Sequence, residues 1–216
     1  MAGVLVSIRS ALAEVATLSA QQADISKRVV LDGDPDPGAV RYKTIIVAAS
    51  TDRIDVAVRR EDPCFIMYTS GTTGYPEGVV LTHDTVTFEV LNPIIDLDLG
   101  SDEVSLVIAP LFHSGALNYV ALPILLKGGT VVISQSFEPG RTLSVIERER
   151  VTYSFNVPTM LDAMSAHPAW EDTDLTSIRR WIAAAAPVPR RTLRTYAARG
   201  ARYGRHTDSP RRAPVR

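Results

Sequence analysis

The sequence of 216 residues has little cysteine, little lysine and no long apolar run. Cys64 is its single cysteine, which excludes an intrachain disulfide and a zinc site built from cysteines. The longest apolar runs, around Val104–Phe112 and Tyr119–Leu126, fall short of the ~20 residues that a membrane-spanning helix needs. The first residues lack the basic start and apolar stretch of a secretory signal. We therefore expect a soluble, cytoplasmic protein without a transmembrane segment.

Charge is distributed unevenly along the chain. Three lysines stand against twenty arginines, and eleven of these arginines follow Ile178. Asp208 is the one acid in that stretch, so the last 38 residues carry about +10 and the rest about −11. Such a basic tail is either a solvated, disordered end or a patch for nucleic acid or an anionic membrane. Beyond Trp181 its only aromatics are Tyr196 and Tyr203, which favours the solvated end, and we expect no nucleic-acid partner.

From Asp62 onward, short apolar segments alternate with segments of helical pattern. With 45% hydrophobic and 22% charged residues, the chain can bury a substantial core. The predicted strands are Cys64–Tyr68, Val104–Ile108, Thr130–Ser134, Val151–Phe155 and Trp181–Ala186. The predicted helices are Asp84–Leu91, Gly115–Lys127, Pro139–Arg150, Pro158–Met164 and Pro189–Ala198. This alternation indicates an α/β fold with a largely parallel sheet and flanking helices.

The residues before Asp62 are less regular. Apolar residues recur there at helical spacing, at Leu5, Ile8, Leu12, Val15 and Leu18. This spacing predicts an amphipathic helix within Ala2–Val30. Prolines, glycines and acids make Asp32–Gly38 a loop, and Arg41–Ser50 fits either a helix or a strand. We therefore expect residues 1–61 to form a helical or irregular segment ahead of the α/β domain.

The most informative segment is a loop, rich in glycine and hydroxyl groups, that directly follows an apolar strand. It reads Tyr68-Thr69-Ser70-Gly71-Thr72-Thr73-Gly74-Tyr75-Pro76-Glu77-Gly78-Val79. Glycines let backbone N–H groups approach a ligand closely, and hydroxyls add donors, so the loop fits phosphate oxygens. An ordinary polar turn is the alternative. The loop lacks the Lys-Ser or Lys-Thr of a Walker motif and the first glycine of a hydrolase nucleophile elbow.

This segment is similar to the phosphate-binding motif of the adenylate-forming enzymes, which include acyl-CoA synthetases, luciferases and nonribosomal peptide adenylation domains. Eleven of its twelve positions fit the pattern Y-T-S-G-[ST]-T-G-x-P-K-G-V, and Glu77 stands where the family has lysine. Ala109–Gly115 resembles the second core motif, P-L-F-H-x-x-G. Asn156–Leu161 resembles the V-P-T-M helix start of the acyl-CoA synthetases. The chain therefore looks like part of the N-terminal domain of such an enzyme, over residues 62–203.

The resemblance implies a reaction in two steps. A carboxylate attacks the α-phosphorus of ATP, which gives an acyl-adenylate and pyrophosphate, and a thiol, usually coenzyme A, then takes the acyl group. By resemblance, Thr69 helps to hold Mg²⁺, and His113 lies where the carboxylate meets the α-phosphate. The residues that would bind the ATP phosphates are Thr69, Ser70, Gly71, Thr72, Thr73, Gly74 and Gly78. The segment at the place of the family's G-G-A-P, against substrate and adenine, is Ala184, Ala185, Ala186 and Pro187.

The resemblance also bears on the substrate, a small carboxylic acid that is used with ATP. Amino-acid-activating relatives place an aspartate directly after the Phe of the second motif, where this chain has His113. A fatty or aromatic acid is therefore favoured, and we expect an acyl-CoA synthetase of fatty-acid metabolism. The apolar residues that follow fit core packing and an acyl pocket equally. Two other hypotheses are a regulatory nucleotide-binding module without catalysis and a nucleic-acid-binding protein that uses the arginine tail.

Three departures from the family lead us to expect little or no adenylate formation by the 216-residue chain. Glu77 reverses a charge beside the triphosphate. The family's ribose-binding Asp and C-terminal Lys have no counterpart in the sequence. The family's Y-G-x-T-E motif is replaced by Tyr203-Gly204-Arg205-His206-Thr207-Asp208 and a tail rich in Arg and Pro. We expect residues 204–216 to be disordered and to result from a frameshift or premature end in a GC-rich gene; a genuine basic C-terminal extension is the alternative.

Overall fold

The computed structural model describes residues 3–7, 25–35, 37–69, 75–183, 186–200 and 203–205. The chain divides into two compact units, Met1–Ala57 and Val58–Arg216. In the described part of the chain, no helix is both long enough and apolar enough to cross a membrane.

The first unit contains a parallel sheet of three strands in the order β1-β2-β3, followed by a short helix. Its elements are β1 (Gly3–Ser7), β2 (Ile25–Val30), β3 (Ala39–Arg41) and α1 (Tyr42–Ala48). The helix predicted within Ala2–Val30 is therefore wrong at both ends. Both ends are rich in valine and isoleucine, whose branched Cβ atoms restrict χ1 and favour a pleated strand over a helix. Residues 8–24 of that prediction lie outside the described residues.

The second unit contains a parallel sheet of five strands in the order β10-β9-β8-β6-β7, which confirms the predicted α/β fold. Its strands are β6 (Val104–Val107), β7 (Thr130–Ile133), β8 (Tyr153–Asn156), β9 (Arg180–Ala183) and β10 (Tyr203–Arg205). Strand β10 pairs with β9 and includes Gly204 and Arg205. The prediction of a disordered tail is therefore wrong at Gly204 and Arg205, because these residues find backbone partners along β9. Residues 206–216 lie outside the described residues.

Helices cover both faces of this sheet, at the predicted positions. The helical segments are α2 (His83–Asp96), α3 (Ser114–Ala116), a π-helical segment (Leu117–Ala121), α4 (Leu122–Lys127), α5 (Pro139–Arg148), α6 (Pro158–Ser165), a 3-10 turn (Pro168–Trp170) and α7 (Arg190–Ala198). Gly128 ends α4 with a φ of +83°, a left-handed conformation that favours glycine.

Adjacent residues in the strands enter different hydrophobic clusters. Leu106 of β6 is buried with residues of α5, α6 and α7, whereas its neighbour Val107 packs with residues of the helical run 114–127. Trp181 and Ile182 of β9 divide in the same way. Successive side chains of a strand point to opposite faces, so both faces of the sheet are buried. This arrangement explains why the strands read as continuous apolar runs in the sequence.

A separate antiparallel hairpin precedes α2. It consists of β4 (Pro63–Thr69) and β5 (Glu77–Thr82) and encloses the predicted phosphate-binding loop. Strand β4 agrees with the prediction, whereas β5 was not predicted because Pro76 and Gly78 obscure its pattern. Thr82 then caps α2, since its hydroxyl accepts a hydrogen bond from the backbone N–H of Thr85 at 3.2 Å.

Candidate active site

The second motif lies at the carboxyl edge of the parallel sheet. Because β6, β8 and β9 run parallel, the segments that follow them leave from the same edge of the sheet. In open α/β sheets this edge is where ligands bind. His113 follows β6, whereas Ala186 and Pro187 follow β9. All three residues are exposed. Ala184 and Ala185 lie outside the described residues.

His113 caps the helical run that begins at Ser114. Its side chain is exposed, and its Nδ1 accepts a hydrogen bond from the backbone N–H of Gly115 at 3.1 Å. In a neutral imidazole with Nδ1 as acceptor, the proton is on Nε2. The cap therefore fixes the tautomer in which Nε2 can donate a hydrogen bond to a ligand.

A cavity of about 410 Å³ opens beside His113. Its wall is formed by residues of α2, of the helical run after His113 and of β8: Glu89, Asn92, Asp96, His113, Ser114, Gly115, Asn118, Tyr119 and Phe155. The rings of Tyr119 and Phe155 are 6.3 Å apart and tilted by 57°. A Cβ at Gly115 would lie 3.3 Å from Cζ of Phe155 and 3.4 Å from Nδ1 of His113, so glycine preserves space where the motif meets the aromatic wall.

The α2 side of this cavity is polar. Glu89, Asn92 and Asp96 are three and four residues apart, so they lie on one face of α2. The side-chain amide of Asn118 donates a hydrogen bond from Nδ2 to Oε2 of Glu89. The sequence analysis missed these residues, because the predicted helix ended at Leu91, whereas α2 continues to Asp96 and so places Asn92 and Asp96 on the same face as Glu89.

Burial and the nearby negative charge of Asp96 raise the pKa of the Tyr119 phenol above its ordinary value. Tyr119 therefore remains a neutral phenol around pH 7. Tyr119 thus offers the cavity a neutral aromatic ring rather than a further charge.

The first motif is described only at its edges. Thr69 and Gly78 lie in the hairpin, and Thr69 is exposed at the end of β4. Ser70, Gly71, Thr72, Thr73 and Gly74 lie outside the described residues. A Cβ at Gly78 would lie 3.0 Å from Cγ2 of Ile66 and 3.3 Å from Cε1 of Tyr68, so the packing of β4 favours glycine at this position.

The two motifs share a groove of about 550 Å³. Tyr68, at the end of β4, lines it together with Leu111, Phe112 and Leu117 from the second motif and the helix that follows. The structure therefore brings the strand that leads into the first motif close to the second motif. Among the described residues, no group of three or more His, Cys, Asp or Glu side chains could hold a metal ion.

The chain is similar to several known ligases. A feruloyl-CoA synthase of Amycolatopsis sp is 49% identical over 153 residues, which cover 71% of this chain and 31% of that protein. The 4-coumarate–CoA ligase 2 of Oryza sativa subsp. japonica is 38% identical over 156 residues, 70% of this chain and 27% of that protein. The chain thus spans about a third of the length of the curated relatives that it matches.

A solved structure and a family model agree with these matches. The inhibitor-bound N-terminal domain of FACL13 from Mycobacterium tuberculosis superposes with a TM-score of 0.81 and 27% identity, covering 93% of this chain and 49% of that chain. The family model described as "AMP-binding enzyme" matches residues 2–206. Because this match covers nearly the whole chain, the chain belongs to the AMP-binding enzyme family, which confirms the predicted resemblance to the adenylate-forming acyl-CoA synthetases.

Proposed function

We propose that this chain supplies the acid-binding and phosphate-binding part of an acid–CoA ligase, which converts a carboxylic acid to its acyl-adenylate and then to its CoA thioester. The observation that carries the proposal is the position of His113. It lies at the carboxyl edge of the sheet and lines a cavity. Its Nδ1 accepts the hydrogen bond that caps the helical run, so Nε2 carries the donor proton. A carboxylate that enters the cavity can accept that hydrogen bond.

The proposed substrate is an aromatic carboxylic acid rather than the fatty acid that the sequence led us to expect. Tyr119 and Phe155 give the cavity aromatic walls, on which a planar ring can pack. Its volume of about 410 Å³ is at the lower end of the ~300–1,000 Å³ range of small-molecule pockets. The similarity to feruloyl-CoA synthase and 4-coumarate–CoA ligase supports the same class of acid.

The remaining assignments are proposals of the same kind. Residues 69–74 and Gly78 bind the ATP phosphates, and residues 184–187 lie against substrate and adenine. The hydroxyl of Thr69 is an oxygen ligand of the type that Mg²⁺ takes, and a bound Mg²⁺ would neutralise charge on the triphosphate. Coenzyme A is the acyl acceptor. A cytoplasmic location stays a prediction from the sequence.

Calorimetric titration of the 216-residue polypeptide with cinnamate, with decanoate and with MgATP tests the proposal. We expect binding of MgATP and tighter binding of cinnamate than of decanoate. Exchange of labelled pyrophosphate into ATP, with and without acid, then measures adenylate formation. Binding of MgATP without binding of either acid would instead support a regulatory nucleotide-binding module, and tighter binding of decanoate would reject the aromatic substrate class.

A further inference from the structure

The wall of the cavity beside His113 carries a carboxylate, that of Glu89, which has no cationic partner among the described residues. Glu89 is half-buried, and its one described hydrogen bond comes from the neutral amide of Asn118. Within the described part of the chain, neither lysine nor arginine lines this cavity, and Asp96 adds a second acid at its exposed rim. A half-buried carboxylate is stabilised by hydrogen bonds or opposite charge, so the wall can accept a donor from a ligand.

Asn118 gives independent evidence that the polar groups on this wall are not all paired by the described residues. Its side chain is 2% exposed and lines the cavity. A carboxylate only accepts hydrogen bonds, so the amide nitrogen of Asn118 must face Glu89 and its oxygen must point elsewhere. That oxygen is buried and has no hydrogen-bond partner among the described residues. Because buried polar atoms are nearly always paired, an incomplete pair on a cavity wall calls for an explanation.

We propose that Glu89 is the specificity-determining residue of the acid pocket. Its carboxylate accepts a hydrogen bond from a hydroxyl or amino substituent on the ring of the aromatic acid, and Asn118 holds it in position. The same charge disfavours an acid that carries a second carboxylate on its ring, because like charges then meet in a partly desolvated cavity. This inference rests on the proposed function, since it places the ring of the bound acid against the α2 wall.

Three acids that differ only at the ring position para to the side chain test the inference: 4-hydroxycinnamate, cinnamate and 4-carboxycinnamate. Their dissociation constants are measured by calorimetry with the 216-residue polypeptide and with E89Q, a substitution that keeps the shape and removes the charge. The unmodified chain should bind the hydroxylated acid about tenfold more tightly than cinnamate, and 4-carboxycinnamate most weakly. In E89Q the hydroxyl preference should fall to about threefold or less, and 4-carboxycinnamate should gain about tenfold.

The matched control is E61Q, which removes an exposed carboxylate from the turn before β4, outside the residues that line the cavity. It should leave the ranking of the three acids unchanged. Equal affinities of the unmodified chain for all three acids would overturn the inference even if E89Q does not fold, as would an unchanged ranking in folded E89Q. Failure of all three acids to bind would instead reject the proposed function, and this inference with it.

Discussion

Thr69 and Glu77 lie opposite each other across the β4–β5 hairpin and form its last pair before the loop that joins the two strands. Both residues are exposed. The carboxylate of Glu77 therefore stands at the base of the loop that we propose for the ATP phosphates, where the similar family motif has a lysine. At ~5 Å and an effective dielectric constant of ~20, two unit charges interact by about 3 kcal/mol, and exposure reduces this value.

Replacing Glu77 with lysine should tighten the binding of MgATP. The substitution E77K turns repulsion of the triphosphate into attraction, and we expect the dissociation constant from calorimetry to fall by about tenfold after allowance for solvent screening. The control E61K makes the same charge change in the turn before β4 and should alter the constant by less than about twofold. An equal gain in both variants would mean that only net charge acts, and no gain in E77K would mean that the side chain at position 77 points away from the nucleotide.

The sequence predicted the sheet well because its local signals agree with the packing. Buried strands such as Val104–Val107 and Arg180–Ala183 have apolar residues on both faces and are followed by loops that contain Pro. The prediction failed within Ala2–Val30, where apolar spacing fits a helix but the branched residues at Val4, Val6 and Ile25 form strands.

The cavity beside His113 could be predicted only in part. His113 was predicted because it lies in a local motif that resembles a known family. Glu89, Tyr119 and Phe155 come from three different elements, and only the packing of α2 and the helical run 114–127 against the sheet brings them to one cavity. A single sequence carries no direct signal for contacts between residues that are far apart along the chain.

Adding a methyl group at Gly129 should destabilise the second unit more than adding one at Gly128. A Cβ at Gly129 would lie 2.6 Å from the backbone oxygen of Glu103 and 2.8 Å from Cγ2 of Ile124, so β7 or α4 must shift. A Cβ at Gly128 meets nothing within 4 Å, and its cost comes only from the φ of +83°. We expect G129A to lose about 2–3 kcal/mol of unfolding free energy and G128A about 1 kcal/mol, measured by urea denaturation. Equal losses would contradict this difference.

Asp174 should contribute to stability above about pH 4 and lose that contribution in acid. The hydroxyl and the backbone N–H of Thr176 donate to its Oδ1 at 2.6 and 2.8 Å, and Arg150 donates to its Oδ2 at 2.7 Å. These hydrogen bonds lower the pKa of Asp174 from 3.8 to about 2. Because the folded-state pKa is depressed, the stabilisation is complete above the unfolded value near 3.8 and disappears as the pH falls through about 2.

An NMR titration of the Asp174 carboxyl checks this pH dependence. T176V removes the hydroxyl donor and should raise the pKa of Asp174 towards 3.8, with a matching loss of acid stability between pH 4 and 2. The control T195V removes a hydroxyl that bonds to the backbone oxygen of Arg191 on α7, and it should leave the titration of Asp174 unchanged. A titration midpoint that does not move in T176V would show that the hydroxyl of Thr176 does not contribute, and that the backbone N–H of residue 176 and Arg150 set this pKa.

Removing the charge of Glu103 should destabilise the amino edge of the sheet. Its side chain is 1% exposed and pairs with Arg180 at 2.7 Å and Arg179 at 3.1 Å, and Thr152 also donates to it. E103Q leaves the guanidinium of Arg180 without a charged partner, whereas Arg179 keeps its pair with Asp102 at 2.8 Å, so we expect a loss of about 1–3 kcal/mol in urea denaturation. The control E149Q breaks an exposed pair with Arg148 and should cost less than about 0.5 kcal/mol. Equal small losses would show that the buried pair adds no more than the exposed one.

Two substitutions at His113 should separate its role as a helix cap from its proposed role in binding the acid. Asparagine can still accept the hydrogen bond from the backbone N–H of Gly115, whereas alanine cannot. We therefore expect H113N to keep the melting temperature of the unmodified chain and H113A to lower it, corresponding to about 1 kcal/mol.

Both His113 variants should bind cinnamate about tenfold more weakly, because neither retains the Nε2 donor that we propose for the carboxylate of the acid. Calorimetry and thermal unfolding on the same samples check the two effects independently. If H113N retained the affinity of the unmodified chain while H113A lost both affinity and stability, His113 would act only by ordering the start of the helical run. Weaker binding in the stable H113N variant is the result that supports direct contact between His113 and the acid.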